Sequence, residues 1–308
     1  MTLSVAPTTP SAPSGFVVAP DLPELLLPVK VRRGIIGFLR NHPTVAIGGA
    51  LLLCLVLIGI LAPYLGTVDP TAIAPVKRNR FPSAEFWFGT DALGRDIYSR
   101  VLYGTRVSLT VGLLVAIFAS VSGLAIGLVA GFVRGADSIL MRVMDGLMSI
   151  PPILLAIALM ALTRGSVGNV ILAIFIAEIP RVARLVRSVV LSLREQPYVD
   201  AAVSSGTRTP MIILRHILPN TLAPMLIQAT YICASAMITE AILSFIGAGT
   251  PPTIPSWGNI MAEGRALWQV KPFIVFFPAA FLSVTVLAVN LLGDGLRDAL
   301  DPRMAKNP

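Results

Sequence analysis

Charge is scarce in this chain. Of its 308 residues 13% are Asp, Glu, Lys or Arg and 55% are hydrophobic, where soluble domains carry about a quarter charged residues. Several apolar runs reach the ~20 residues that a helix needs to cross a bilayer. The chain reads as an integral membrane protein. Cysteine and histidine are sparse as well. Cys54 and Cys233 lie inside apolar runs and are expected as small buried hydrophobes, not a disulfide or metal pair. His42 and His216 are far apart, and no Asp/Glu cluster has metal-ligand spacing. Serines such as Ser149 and Ser244 have no nearby His, and no GxxxxGK[ST] loop offers a phosphate cradle. No covalent chemistry and no cofactor are expected in this chain. Residues 1–28 hold six prolines and neither Lys nor Arg, so the expectation is a disordered tail, not a cleaved signal peptide. No repeat of 20–50 residues is apparent, which leaves an inverted-repeat transporter architecture unsupported.

What is present is six apolar runs, at about residues 44–65, 107–133, 144–162, 169–186, 221–246 and 272–292. The second holds Gly112, Gly123, Gly127 and Gly131, including small residues at the four-residue spacing that lets helices approach closely in lipid. The third holds Pro151 and Pro152, and the fourth is interrupted by Glu178, Pro180 and Arg181. The chain therefore divides into a cytoplasmic tail (1–43), a first transmembrane helix (44–65) and an extracytoplasmic loop with an amphipathic lead-in (66–106). A transmembrane core (107–293) follows, with a cytoplasmic loop (187–220) inside it, and a cytoplasmic tail (294–308) closes the chain.

The net charge of +8 fits cytoplasmic loops and anionic lipid better than nucleic acid in so apolar a chain. Lys30, Arg32, Arg33 and Arg40 precede the first run, which places that side inside. On this topology 15 Lys and Arg lie inside and nine outside, six of the nine in residues 66–106. The bias has the expected sign, and the basic outer loop is its exception.

Residues 195–220 read EQPYVDAAVSSGTRTPMIILRHILPN. Pro197 suits the first position of a helix, with Asp200 in the first turn where the dipole favours an acid. Gly206 supplies a stop in the left-handed conformation. Thr209 and Pro210 read as the N-cap and first residue of a second short helix, residues 211–218, closed by Pro219.

This loop resembles the cytoplasmic EAA loop of ABC-importer permeases: Glu-Ala-Ala, three residues, Gly, nine residues, Ile-x-Leu-Pro. Asp200-Ala201-Ala202, Gly206, Leu218 and Pro219 keep that spacing, with Asp200 in place of Glu and His216 in place of Ile. RHILPN (215–220) is similar to the peptide/nickel branch, and residues 89–104, GTDALGRDIYSRVLYG, to its GTDxLGRDxxSRxxYG signature. The Asp/Arg-rich end (290–303) is also similar. The chain thus resembles a permease subunit of the dipeptide/oligopeptide/nickel ABC importers over about residues 88–303.

The resemblance implies an all-α integral membrane fold, with six transmembrane helices of the type I ABC importer permease (MetI-like) kind and a cytoplasmic coupling helix. It implies a second homologous permease, two ATP-binding subunits holding ATP and Mg, and an extracytoplasmic substrate-binding protein. Tyr198, Val199, Asp200, Ala201, Ala202, Gly206, Pro210, Arg215, His216 and Pro219 would form the ATPase-coupling loop. Peptide is the default substrate, with nickel complexes or another small solute as the alternative. The rival from a different class is a secondary transporter driven by an ion gradient, with Glu178 or Glu240 carrying the proton. Intramembrane acids are costly and usually face a pathway or a partner. Glu178, Glu240, Met148 and Asn290 are therefore candidate pathway residues. Helix locking is the structural alternative for the polar three, and core packing is the alternative for Met148.

Overall fold

In lipid a spanning backbone must satisfy its own hydrogen bonds, which leaves an apolar run the helix as its solution. The structure, a computed structural model, describes residues 35–163 and 165–300. The expected tail before residue 35, Arg164 and the segment after residue 300 lie outside the described residues. Among the described residues the regular elements are helices, with one isolated β-bridge between Thr90 and Asp96.

The helices are α1 (Ile35–Asn41), α2 (Pro43–Leu61), α3 (Ile97–Phe132), α4 (Arg134–Met148), α5 (Pro152–Ala161) and α6 (Val167–Arg194). They continue with α7 (Pro197–Ser204), α8 (Thr209–Ile212), α9 (Leu218–Phe245), α10 (Trp257–Gly264) and α11 (Phe273–Leu300). Among the described residues four stretches are long and apolar enough to cross a membrane: Pro43–Tyr64, Ile97–Phe132, Thr209–Phe245 and Phe273–Leu300. The α4–α5 pair, bent by 85°, makes a fifth if counted as one span. At 28 residues, α6 is about 42 Å long, but its second half is laced with arginine.

Several boundaries differ from the sequence reading. The second run starts ten residues early, at Ile97, because the Asp96 side chain caps the helix by accepting from Ser99 N at 2.9 Å. The third is no single helix. Pro151 has no N–H to give and disfavours helical backbone at Ile150, so the chain breaks between α4 and α5. Pro180, by contrast, lies within a continuous α6. Thr209 is the first residue of α8 and not its cap, and Pro219 closes nothing. A π-helical turn, Ile213–Ile217, joins α8 to α9, and Pro219 sits in the first turn of α9 where its missing N–H costs little. Cys54 is exposed on the outer face of α2, whereas Cys233 is partly buried.

The core is built on α3, α6 and α9. A Cβ at Gly123, Gly127 or Gly131 would come within 2.4, 2.6 and 2.6 Å of the Cβ of Val182, Val186 and Val190. The two series rise together, so α3 and α6 run parallel, the glycine row of one receiving the valine row of the other. On the other flank α2 lies antiparallel to α11, where Gly48 meets Ala288 and Leu292 while Gly295 meets Val45. A second cluster, Ile97, Val101, Trp257, Ile260, Phe273 and Ile274, ties the start of α3 to α10 and α11.

Candidate functional site

At the end of the bundle where α6 stops, α7 hangs as a short helix with one buried contact. Val199 is 1% exposed and joins the main core with Ile212 and Ile217, while Ala202 packs at its edge. Tyr198 (43% exposed) and Val203 (55%) face outward, as do Asp200, Ala201, Pro210, Arg215 and Pro219. His216 is half-buried, its ring 6.3 Å from that of Tyr198. Gly206 ends the helix at φ +75°. Gly206 N donates to Val203 O at 3.0 Å and Thr207 N to Ala202 O at 3.1 Å, which is a Schellman cap. The surface open to a partner is thus Tyr198, Asp200, Ala201 and Val203, while Val199 and Ile212 hold the loop to the bundle. Beside it, Arg187 donates to both carboxylate oxygens of Asp137 at 2.5 and 2.7 Å, and Arg184 to Asp145 at 2.6 Å. These pairs lash α4 to α6.

The opposite end carries a charged knot. Asp91 accepts from Arg95 Nε at 2.7 Å and Arg100 Nη1 at 2.6 Å, and Arg100 Nη2 reaches Glu263 Oε1 on α10 at 3.1 Å. Arg95 Nη2 also pairs with Glu263. Arg100 is 1% exposed. Two cations and two carboxylates therefore neutralise each other where residues 91–100 meet α10, and Trp257 Nε1 adds a bond to Val101 O at 3.1 Å. Lys77 and Arg80 both reach Glu85, and the Lys77 hydrogen bond holds that carboxyl below its ordinary range. Most of the positive charge in residues 66–106 is thus matched locally. The sequence reading found the signature but not this cluster. The spacing Asp91, Arg95, Arg100 was its only local signal, since Glu263 lies 163 residues beyond Arg100.

The candidate pathway residues are not brought together: among the described residues no hydrogen bond or ion pair joins any two of them. Glu178 is buried in α6 and pairs with Arg181 at 3.1 Å. Met148 is exposed at the end of α4, and Asn290 is half-buried on α11. Glu240, fully buried near the end of α9, accepts from Ser244 Oγ at 2.8 Å. That hydroxyl lies 3.1 Å from Thr250 Oγ1, which lies 3.2 Å from Ser256 Oγ.

Parallel glycine-bearing helices, a bent helix pair and a short capped helix at one end describe a polytopic helical membrane protein. The architecture matches the MetNI methionine ABC transporter in an inward-facing conformation, with a TM-score of 0.53 at 18% identity over 65% of this chain and 96% of that one. Residues 123–306 match the binding-protein-dependent transport system inner membrane component family, and the chain belongs to that family. It is 55% identical to a probable peptide ABC transporter permease protein of Sinorhizobium fredii, over 86% of this chain and 90% of that one. It is 41% identical to a dipeptide transport system permease protein of Alkalihalophilus pseudofirmus, over 86% and 88%. The chain is the membrane-embedded permease subunit of an ABC importer.

Proposed function

We propose that this subunit forms half of a pathway for peptides, completed by a second homologous permease and powered by two ATP-binding subunits that dock on α7. An extracytoplasmic binding protein delivers the substrate, ATP and Mg stay in the ATPases, and both ends of the chain lie in the cytoplasm. The observation that carries this reading is the build of α7. Its outward residues are free while Val199 roots it in the core shared by α3, α6 and α9. The π-helical turn also continues α8 directly into α9. A partner that moves α7 therefore moves spans, and ATP shifts the equilibrium by its differential affinity for the partner's two states. Two relatives named for peptides and dipeptides support the substrate class.

The test is uptake of labelled di- and oligopeptides by proteoliposomes. Vesicles holding both permeases and both ATPases, with the binding protein outside, should accumulate peptide only with ATP at the ATPase face. Uptake by this chain alone, driven by a proton gradient without ATP, would overturn the reading in favour of a secondary transporter.

A further inference from the structure

Depth in the membrane can be read from α3, which carries no charge between Arg106 and Arg134 and has Ala119 and Ser120 at the middle of that stretch. Gly123, Gly127 and Gly131 face Val182, Val186 and Val190 in constant register. On that register Glu178 stands level with Ala119, Arg181 with Ser122 and Arg184 with Ala125. The middle of a hydrocarbon core about 30 Å thick therefore falls at Glu178 and Arg181. Arg184 lies about 9 Å nearer the inner surface than Glu178.

Glu178 is buried, but the Arg181 side chain is 48% exposed, and its Nη1 turns back to Glu178 Oε2 at 3.1 Å. That is toward the membrane middle and away from the inner surface, to which an arginine in lipid would snorkel. Arg184 and its partner Asp145 on α4 are 49% and 60% exposed. Both helices continue this polar character along one face. On α6 Arg181, Arg184 and Ser188 are exposed at helical spacing. On α4 the same holds for Arg142, Asp145 and Ser149. The two rows meet at the Arg184–Asp145 pair and open toward the end of the bundle that carries α7. The exposed surface of α3 at this depth is different in kind, with Phe118 and Val121, which suits lipid.

Lipid against the α4–α6 groove would hold Arg181, Arg184 and Asp145 in hydrocarbon, a costly arrangement; charged groups at this depth face protein or water. We propose that the groove is the wall of a water-filled vestibule, open at the α7 end and reaching the membrane middle at Arg181. That solute travels through this water rests on the transport reading; the presence of water at this depth does not.

The experiment uses the full chain in lipid nanodiscs, with the subunits that co-purify with it, and a charged maleimide read out by peptide mass spectrometry. Ser149→Cys and Arg184→Cys report on the groove, and Val121→Cys reports on α3 at matching depth. Rates are measured without nucleotide and with a non-hydrolysable ATP analogue. In at least one of these states both groove sites should react about tenfold faster than Val121→Cys or more, because the reactive thiolate forms in water and not in lipid. Rates no faster than that of Val121→Cys in both states would overturn the proposal and mark the groove as sealed by lipid or by another subunit. If Arg184→Cys does not fold, Ser149→Cys decides alone by the same rule. Peptide uptake by the unsubstituted complex is measured separately. Its failure would remove the transport reading and leave the vestibule result standing.

Discussion

Arg100 in the first turn of α3 and Glu263 on α10 meet as a buried ion pair across 163 residues of chain, with Nη2 to Oε1 at 3.1 Å. The pair ties the start of α3 to α10, beside the cluster in which Ile97, Val101, Trp257 and Ile260 pack with Phe273 and Ile274. Removing Arg100 leaves Arg95 alone against Asp91 and Glu263, with one carboxylate charge uncompensated, and breaking such a buried pair costs about 3–5 kcal/mol. Arg100→Leu should therefore lower the thermal stability of the purified protein sharply or prevent its accumulation. Glu263→Gln should cost less, because the Glu263 side chain is 24% exposed and Asp91 still serves Arg100. Thermal unfolding in detergent, compared between the two variants, checks the order.

The glycine row of α3 sets the spacing to α6. At Gly127 a Cβ would stand 2.6 Å from Val186 Cβ and 2.7 Å from Ala183 O. Gly127→Leu should abolish folding, since overpacking a close helix contact costs about 1–3 kcal/mol per modest insertion and more for a large one. Gly127→Ala paired with Val186→Gly should recover part of the loss seen for Gly127→Ala alone, because it removes the Cβ that the new methyl group meets. Membrane expression of the three variants settles the point.

Pro210 lies beside α7 and Thr253 in the connection between α9 and α10, at opposite ends of the bundle, and both are exposed. If both ends of the chain are cytoplasmic, Pro210→Cys should react with an impermeant thiol reagent only from inside and Thr253→Cys only from outside. Labelling of both from one side would remove the proposed topology.

Which parts of this architecture could be read from sequence follows from how local their causes are. The glycine periodicity of α3, the Pro197 start of α7 and the Gly206 stop depend on residues a few positions apart, and all three appear as read. The break of the third run at Pro151 and the continuity of α6 through Pro180 were not separable, because a proline within a span is tolerated or not according to its neighbours. The Asp91–Arg100–Glu263 cluster joins elements far apart in the chain, so composition could only register its charges as anomalies. The basic segment 66–106 stays an exception to the charge rule, which counts Lys and Arg and not net charge, although Lys77, Arg80, Arg95 and Arg100 are all paired with carboxylates.

Gly206 offers the sharpest test of the coupling loop. Its φ of +75° is a conformation that L side chains adopt at a cost of roughly 1–2 kcal/mol, yet a Cβ there would meet nothing within 4 Å. Substitution therefore acts on the backbone alone, with no clash to confound it. Asn tolerates the left-handed region and should keep the cap, whereas Leu should relax φ, break the Thr207 N to Ala202 O bond and re-aim α7 relative to α8. The membrane core, rooted elsewhere, should insert as before. Gly206→Leu should thus reach the membrane at normal levels, lose most peptide uptake and release the ATPase subunits on purification, while Gly206→Asn stays close to the unsubstituted protein. Asp200→Ala should matter less than Gly206→Leu, since one exposed carboxylate contributes little. Uptake and co-purification measured side by side decide it: normal transport by Gly206→Leu with its ATPases still bound would show that the aim of α7 is not what couples the loop to its partners.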